Sequence, residues 1–368
     1  MSPAPSTIES AVPNPPKKSV GFWSDVWRRF RKKWAPMMAL VYVCLLTIIA
    51  FASPLIVGTK PILCKYKGRI YFPCVGYYHD RWENPIFVTD KFRYQYFNNL
   101  KRNDPESWAI WPLVFQDPIR RIRTDEREGY PDNPRGKEGK PNHFNMLGTS
   151  KDGFDVFAQI VHGSRRALLV GFVSMGIAAL IGIVIGGVSG YFGGWVDMLL
   201  SRLTEVVMCL PTLVLILAII SILEQPTVWH TMVILGLTGW TSIARLTRGE
   251  FLKLRNLDYV TAARAMGAGH IRIMFRHILP NAMAPVLVPI TFGIASAILV
   301  ENALRFLGLG DTNGASWGGL LNEGNAARES WWLLVFPGTA VFLTVLAYNL
   351  IGEGLQEATD PRLRESRK

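Results

Sequence analysis

Cysteine is scarce in this chain: four residues among 368, too few to hold together a small disulfide scaffold. Cys44 and Cys209 lie inside apolar runs and read as packing residues. His79, His143, His162, His230, His270 and His277 fall at no metal-ligand spacing, so no metal centre is expected. Ser164 and Ser201 sit in no nucleophile-elbow pattern. A phosphate loop is also missing, because Gly136-Lys-Glu-Gly-Lys-Pro141 lacks both the glycine spacing and the hydroxyl residue after lysine. The chain therefore reads as non-catalytic and without a cofactor of its own. Acidic residues are the scarcer charge, 28 against 40 Lys and Arg, for a formal net charge of +12. No compact basic domain gathers that charge, which excludes nucleic acid as the expected partner. No apolar core of a cleavable signal follows Met1. Residues 1–20, polar and rich in Pro and Ser, read as a disordered cytoplasmic tail.

What the chain has in quantity is apolar sequence. Hydrophobic residues make up 49% of it and are bunched into long runs, the pattern of an all-α polytopic membrane protein. Trp23, Val26, Trp27, Phe30 and Trp34 recur at helical spacing among Arg28, Arg29, Arg31, Lys32 and Lys33, which predicts an interfacial helix on an anionic membrane lipid surface. Six spans are expected: 36–57, 167–191, 197–223 with a kink at Pro211, 228–246, one following Pro285 and Pro289 to about 304, and 331–351. The domain reading is a tail and interfacial helix over 1–35, the first span over 36–57, an insert over 58–160, a five-helix core over 161–355, and a second tail over 356–368. Aromatic residues through the insert argue for a folded lobe, and polarity alternating around Lys67-Gly68 predicts a hairpin. Gly182, Gly186 and Gly190 fall four apart, a stripe on which another helix can approach closely.

Lys and Arg near the span ends set the expected orientation. The basic N-terminal helix, the loop at about 249–283, and the C-terminal Arg362, Arg364, Arg367 and Lys368 fall on one side. Both termini are then cytoplasmic and the insert extracytoplasmic, since long segments cross largely regardless of charge. On the outer side Cys64 and Cys74 are a possible disulfide, a pairing that sequence leaves open. Arg202, Glu205, Glu301, Asn302 and Glu353 are polar groups near the spans. They either sit at the interfacial ends, pair between helices or line a path for cargo; Arg202 with Glu205 suits an intrahelical pair, and Glu301, next to Asn302, is the best single candidate for the path.

The loop at about 249–283 carries Asp258-Tyr-Val-Thr-Ala-Ala-Arg-Ala-Met-Gly267, a short small-residue helix that Asp258 can cap and Gly267 can end. With His277-Ile-Leu-Pro-Asn281 it resembles the Glu-Ala-Ala loop of ATP-binding-cassette importer permeases. Thr261 stands where that motif has Glu. Leu147-Gly-Thr-Ser-Lys-Asp-Gly-Phe-Asp-Val156, Gly190-Tyr-Phe-Gly-Gly-Trp-Val-Asp197, Phe306-Leu-Gly-Leu-Gly310, Ser316-Trp-Gly318 and Asn349-Leu-Ile-Gly-Glu-Gly-Leu355 narrow the resemblance to the dipeptide, oligopeptide and nickel branch. Phe154 replaces an Arg of that pattern, and Asp311-Thr-Asn-Gly314 replaces a proline-rich link. Lys60-Pro-Ile-Leu63, Tyr66, Gly68 and Tyr71-Phe-Pro73 are similar to the Yej-type peptide permease subunit.

The resemblance implies a type I importer permease in the bacterial inner membrane that moves peptides, or nickel chelates by the same architecture. Tyr259, Thr261, Ala262, Ala263, Met266, Gly267 and Pro280 would form its ATPase-coupling loop. Implied partners are a second permease subunit, two ATP-binding-cassette ATPases that hold ATP and Mg, and an extracytoplasmic solute-binding protein. Two other classes would leave different marks. An ion-coupled secondary transporter would show internal repeats and paired broken helices, and neither is visible. A simple membrane anchor would serve only to display the lobe.

Overall fold

The computed structural model describes residues 22–359 apart from 93–94 and 312–313. The N-terminal tail and the C-terminal Arg362, Arg364, Arg367 and Lys368 lie outside the described residues.

Helix α1 (Phe22–Phe30) precedes α2 (Trp34–Ile56). Helix α2 carries no charged residue and no continuous polar face to give to water, so it suits a bilayer. Its 23 residues reach roughly 35 Å, against a hydrocarbon core of about 30 Å. The expected membrane face of α1 is divided: Val26 and Phe30 are buried in a cluster with Ala358, while Trp23, Trp27 and Trp34 remain exposed.

The insert begins with a three-stranded antiparallel sheet in the order β2-β1-β3, where β1 is Leu63–Tyr66, β2 is Arg69–Tyr71 and β3 is Trp108–Ile110. Lys67 and Gly68 join β1 to β2 at φ 47° and 74°, the left-handed pair that a two-residue hairpin turn of type I′ requires. Short helices α3 (Pro85–Thr89) and α4 (Tyr96–Asn103) lie between β2 and β3. Tyr66, Phe87, Phe92, Tyr96 and Leu100 form the lobe's core, with rings about 5–6 Å apart in tilted and edge-on pairs. Cys64 and Cys74 are both buried free thiols, not a disulfide, and Cys74 Sγ is directed to the Ile62 carbonyl at 3.5 Å.

Helix α5 (Val156–Phe192) starts eleven residues before the expected span. Asp155 caps it, accepting from the Ala158 amide at 2.7 Å, and its other oxygen accepts from Asn145 Nδ2 at 2.8 Å. Hydropathy marks where α5 meets lipid; the cap marks where the helix starts. Next come α6 (Gly194–Cys209) and α7 (Thr212–Ile222), which meet at 77° around Pro211. That is a broken helix pair where a kink was expected. Helix α8 (Val228–Leu254) continues eight residues past its expected end.

Helix α9 (Asp258–Ala265) is followed by α10 (His270–Arg272), a π-wound turn at Ile273–Ile278, and α11 (Leu279–Phe306). The last three run on as one 37-residue helix. Pro285 and Pro289 therefore lie inside a helix instead of marking its start. A membrane helix tolerates such prolines where neighbours and local rewinding satisfy the freed carbonyls. Helix α12 (Trp317–Ala326) precedes α13 (Trp332–Thr359). Among the described residues four helices, α2, α5, α10–α11 and α13, are long and apolar enough to cross a membrane, and five if α6–α7 is one broken span. The main core joins α2, α5, α8, α11 and α13 through residues such as Val43, Leu168, Ile243, Ile298 and Tyr348.

Candidate functional site

Close helix approach sets the frame. A Cβ on Gly182 would meet the Trp240 carbonyl oxygen at 2.8 Å, one on Gly186 the Ala244 carbonyl oxygen at 2.2 Å, and one on Gly190 the Arg248 carbonyl oxygen at 2.6 Å. The three glycines thus let the backbone of α8 lie directly on α5.

At the far end of that pair the chain reverses through Gly193 and Gly194, both left-handed at φ 67° and 57°. The turn delivers Asp197 to Arg248, whose Nη2 lies 2.7 Å from Asp197 Oδ2, while Ser189 also bonds Asp197. Arg255 donates to the carbonyls of Gly190 and Tyr191 at 3.1 and 3.3 Å, and Tyr191 Oη meets His270 Nδ1 at 2.9 Å. These bonds tie α5, α6, α8 and α10 into one end plate. Sequence patterns alone do not single out Asp197, Arg248 and Arg255 as a group, although the Gly190–Asp197 motif carries part of the signal.

Helix α9 rests on this plate. Val260 and Ala263 are buried, with Val260 packed among Tyr191, Phe251, Ile273, Met274 and Ile278. Gly267, at φ 81°, ends the helix in the left-handed conformation. Asp258 is the first helical residue and not the cap; Leu257 holds the cap position without a side-chain bond. Its carboxylate still favours the positive end of the helix dipole. Thr261, in place of the motif's Glu, turns its hydroxyl back to the Asp258 carbonyl at 2.9 Å. Tyr259, Thr261, Ala262, Met266, Gly267 and Pro280 all lie on the surface, and only Ala263 of the expected coupling residues does not. Met266 is 82% exposed, and Ile271 and Phe275 extend the apolar surface, with Arg264, Arg272 and Arg276 interspersed. A patch of this kind marks an interaction surface.

Glu301 and Asn302 do not line an open path in this structure. Glu301 is buried, with Oε1 2.8 Å from Arg166 Nε, and Arg166 also reaches Asp311 at 3.3 Å. Asn302 is buried too, and its Nδ2 donates to the Ile298 carbonyl at 2.8 Å. An unpaired carboxylate is too costly to bury, so Arg166 on α5 draws Glu301 into a helix-to-helix pair. Arg202 and Glu205 likewise pair with each other, on the exposed side of α6. A cavity of about 410 Å³ does open between α5, α6 and α8, lined by Ser189, Ser201, Thr204, Glu205, Arg245 and Arg248.

A bundle of apolar helices that carries an exposed, small-residue helix at one end defines a polytopic membrane protein. Comparison with known proteins places it more narrowly: the chain belongs to the binding-protein-dependent transport system inner membrane component family, whose model matches residues 182–365. Residues 21–65 match the N-terminal transmembrane domain of oligopeptide transport permease C. The chain is 33% identical to the inner membrane ABC transporter permease protein YejE of Escherichia coli, over 91% of this chain and 96% of that protein. It is 32% identical to the peptidoglycan transport system permease protein YejE of Agrobacterium fabrum, over 91% and 92%. It is 37% identical to the dipeptide transport system permease protein DppC of Alkalihalophilus pseudofirmus, over 63% and 77%. It is thus a non-catalytic ABC importer permease of the inner membrane.

Proposed function

We propose that this chain conducts peptides as one of two permease subunits of an ATP-driven importer, and that residues 257–280 are its grip on the ATPase. The single observation that carries this reading is the exposed face of α9. Its side chains are mostly small or flexible, it ends at a left-handed glycine, and it packs through Val260 on the ends of α5 and α8. A helix too short to cross a bilayer, rigidly attached to helices that do, can pass a push from outside the membrane to the bundle within it.

In this reading α8 supplies a sixth span beside the broken α6–α7 pair, both termini are cytoplasmic, and the lobe is extracytoplasmic. ATP and Mg belong to two ATPase chains. ATP-driven closure of those chains draws the docking helices together and opens the bundle outward to cargo from a solute-binding protein. Peptide cargo is supported by the name of the dipeptide transport relative and by the match of residues 21–65 to the N-terminal domain of oligopeptide transport permease C. Peptidoglycan as cargo is favoured as a second reading by the Agrobacterium relative, which matches nearly the whole chain. Nickel chelates remain within the architecture, and no relative named above supports them.

The test is Met266→Glu, made in the assembled transporter. Loss of most co-purifying ATPase and of peptide uptake, with the permease still folded in the membrane, is the expected result. Unchanged assembly and uptake would remove α9 from the coupling role. Uptake that stops with a protonophore yet survives loss of the ATPase would instead indicate an ion-coupled carrier.

A further inference from the structure

The lobe carries an apolar surface that its own core does not explain. Ile70, Phe72 and Trp82 are 59%, 61% and 63% exposed, around a groove of about 250 Å³ that Pro73, Val75 and Phe87 help to line. Its position relative to α2 identifies what it meets. Tyr78, within the same stretch, hydrogen-bonds the Phe51 carbonyl of α2. Phe51 lies five residues before the end of α2, about 8 Å along the axis.

A second helix gives the same depth. His162 of α5 meets the Val57 carbonyl at 2.9 Å, which brings the two helices to one level there. From His162 the apolar run of α5 begins five residues on, at Ala167, again about 8 Å deeper. Between these levels Arg165 sits 4.4 Å over the Tyr78 ring and donates to the Tyr77 and Tyr78 carbonyls at 3.3 and 3.5 Å. An arginine stacked on a tyrosine at the end of an apolar run is the chemistry of a membrane–water interface.

We propose that residues 70–82 form a foot of the lobe that rests in the outer-leaflet interface of the bilayer, with Phe72 and Trp82 among the upper acyl chains. The inference rests on reading α2 as a span with the lobe on the outer side. Continuity favours lipid as the occupant. Met38, Val41, Leu45, Ile48, Phe51 and Leu55 form one exposed apolar stripe along α2 that leads to Tyr78 and the foot. Exposed Arg69 and Arg81 flank the aromatics where headgroup phosphates would lie. The foot would fix the height and tilt of the lobe over the bundle.

The experiment is nitroxide labelling of Phe72→Cys and Trp82→Cys, one at a time, with Cys44 and Cys209 replaced by Ser. The assembled transporter is reconstituted in phosphatidylethanolamine–phosphatidylglycerol vesicles. Collision with oxygen is compared with collision with a water-soluble nickel chelate. Phe51→Cys marks lipid and Glu106→Cys marks water. Labels at 72 and 82 should favour oxygen several-fold over the Glu106 label and approach the Phe51 label. A pattern like that at Glu106 would overturn the foot. So would shielding from both reagents, which would show a protein partner on the patch. A Phe51 label open to the nickel chelate would overturn the span reading itself, a failure distinct from that of the foot.

Discussion

Gly186 shows how much one hydrogen in place of a methyl can decide. Its missing Cβ leaves room for the Ala244 carbonyl, so Gly186→Leu should separate α5 from α8 and lower stability by at least the 1–3 kcal/mol typical of overpacking. Gly176, on the same helix with nothing within 4 Å of a built Cβ, is the matched control. Gly176→Ala should be neutral or mildly stabilising, since Ala exceeds Gly in helix preference by about 1 kcal/mol. Thermal unfolding of the two purified variants in detergent checks both. A second residue sets a pH dependence. Burial pushes the Asp155 carboxyl up to about 6, against the bonds from Asn145 and the backbone amides of Ala158 and Phe157. Because the folded value lies above the model-compound value of 3.8, the folded chain holds the extra proton between them. Its contribution is fully present below that lower value and is lost as pH rises through 6, a change of about 3 kcal/mol. Asp155→Asn, which keeps a good capping residue, should flatten this part of the pH–stability curve measured by thermal unfolding between pH 4 and 7, values set by that same titration.

At the scale of the element, α9 separates two kinds of small residue that look alike in sequence. Ala262 faces outward and Ala263 is 2% exposed against the end plate. Ala263→Glu should destabilise the permease itself, because a carboxylate there has no partner and no water. Ala262→Glu should leave it folded and detach only what docks there. Expression and thermal stability distinguish the first variant, and ATPase co-purification the second. The left-handed stop at Gly267 was legible because glycine chemistry is local. Which alanine faces inward was not, since it depends on Tyr191 and Phe251 arriving from other helices. For the same reason hydropathy placed four of the six expected spans in long apolar helices, with α6–α7 a fifth only as a broken pair, yet missed the early start of α5, the full break at Pro211 and the helical prolines at 285 and 289. Caps and π-turns act on hydrogen bonds, which a hydropathy window does not see. Glu301 was visible as a polar residue within an apolar stretch. Its partner Arg166 lies 135 positions earlier in sequence, out of reach of any local pattern.

At the scale of the whole molecule, the bundle, the end plate and the lobe form a chain of contacts from one end of the long helices to the other. The Tyr191–His270 and Arg255–Gly190 bonds hold the end plate together, and α9 packs on it through Val260 against Tyr191 and Phe251. Helix α5 continues through the glycine-packed pair to Arg166 and Glu301, and on to His162 beneath the lobe. Family membership was legible because its motifs sit at tight turns and close contacts, where few residue types fit. The lobe's role was not, because aromatic content signals a core without saying what its surface meets. The side of the membrane that α9 faces decides everything else about how this bundle is driven. The most direct measurement is modification of Thr261→Cys by a membrane-impermeant maleimide, in a Cys44→Ser, Cys209→Ser background. The reagent should label Thr261→Cys in inside-out vesicles stripped of the ATPase, lose most of that labelling when the ATPase is restored, and leave it untouched in intact spheroplasts. Labelling from the outer side in spheroplasts would contradict the coupling role of α9 outright.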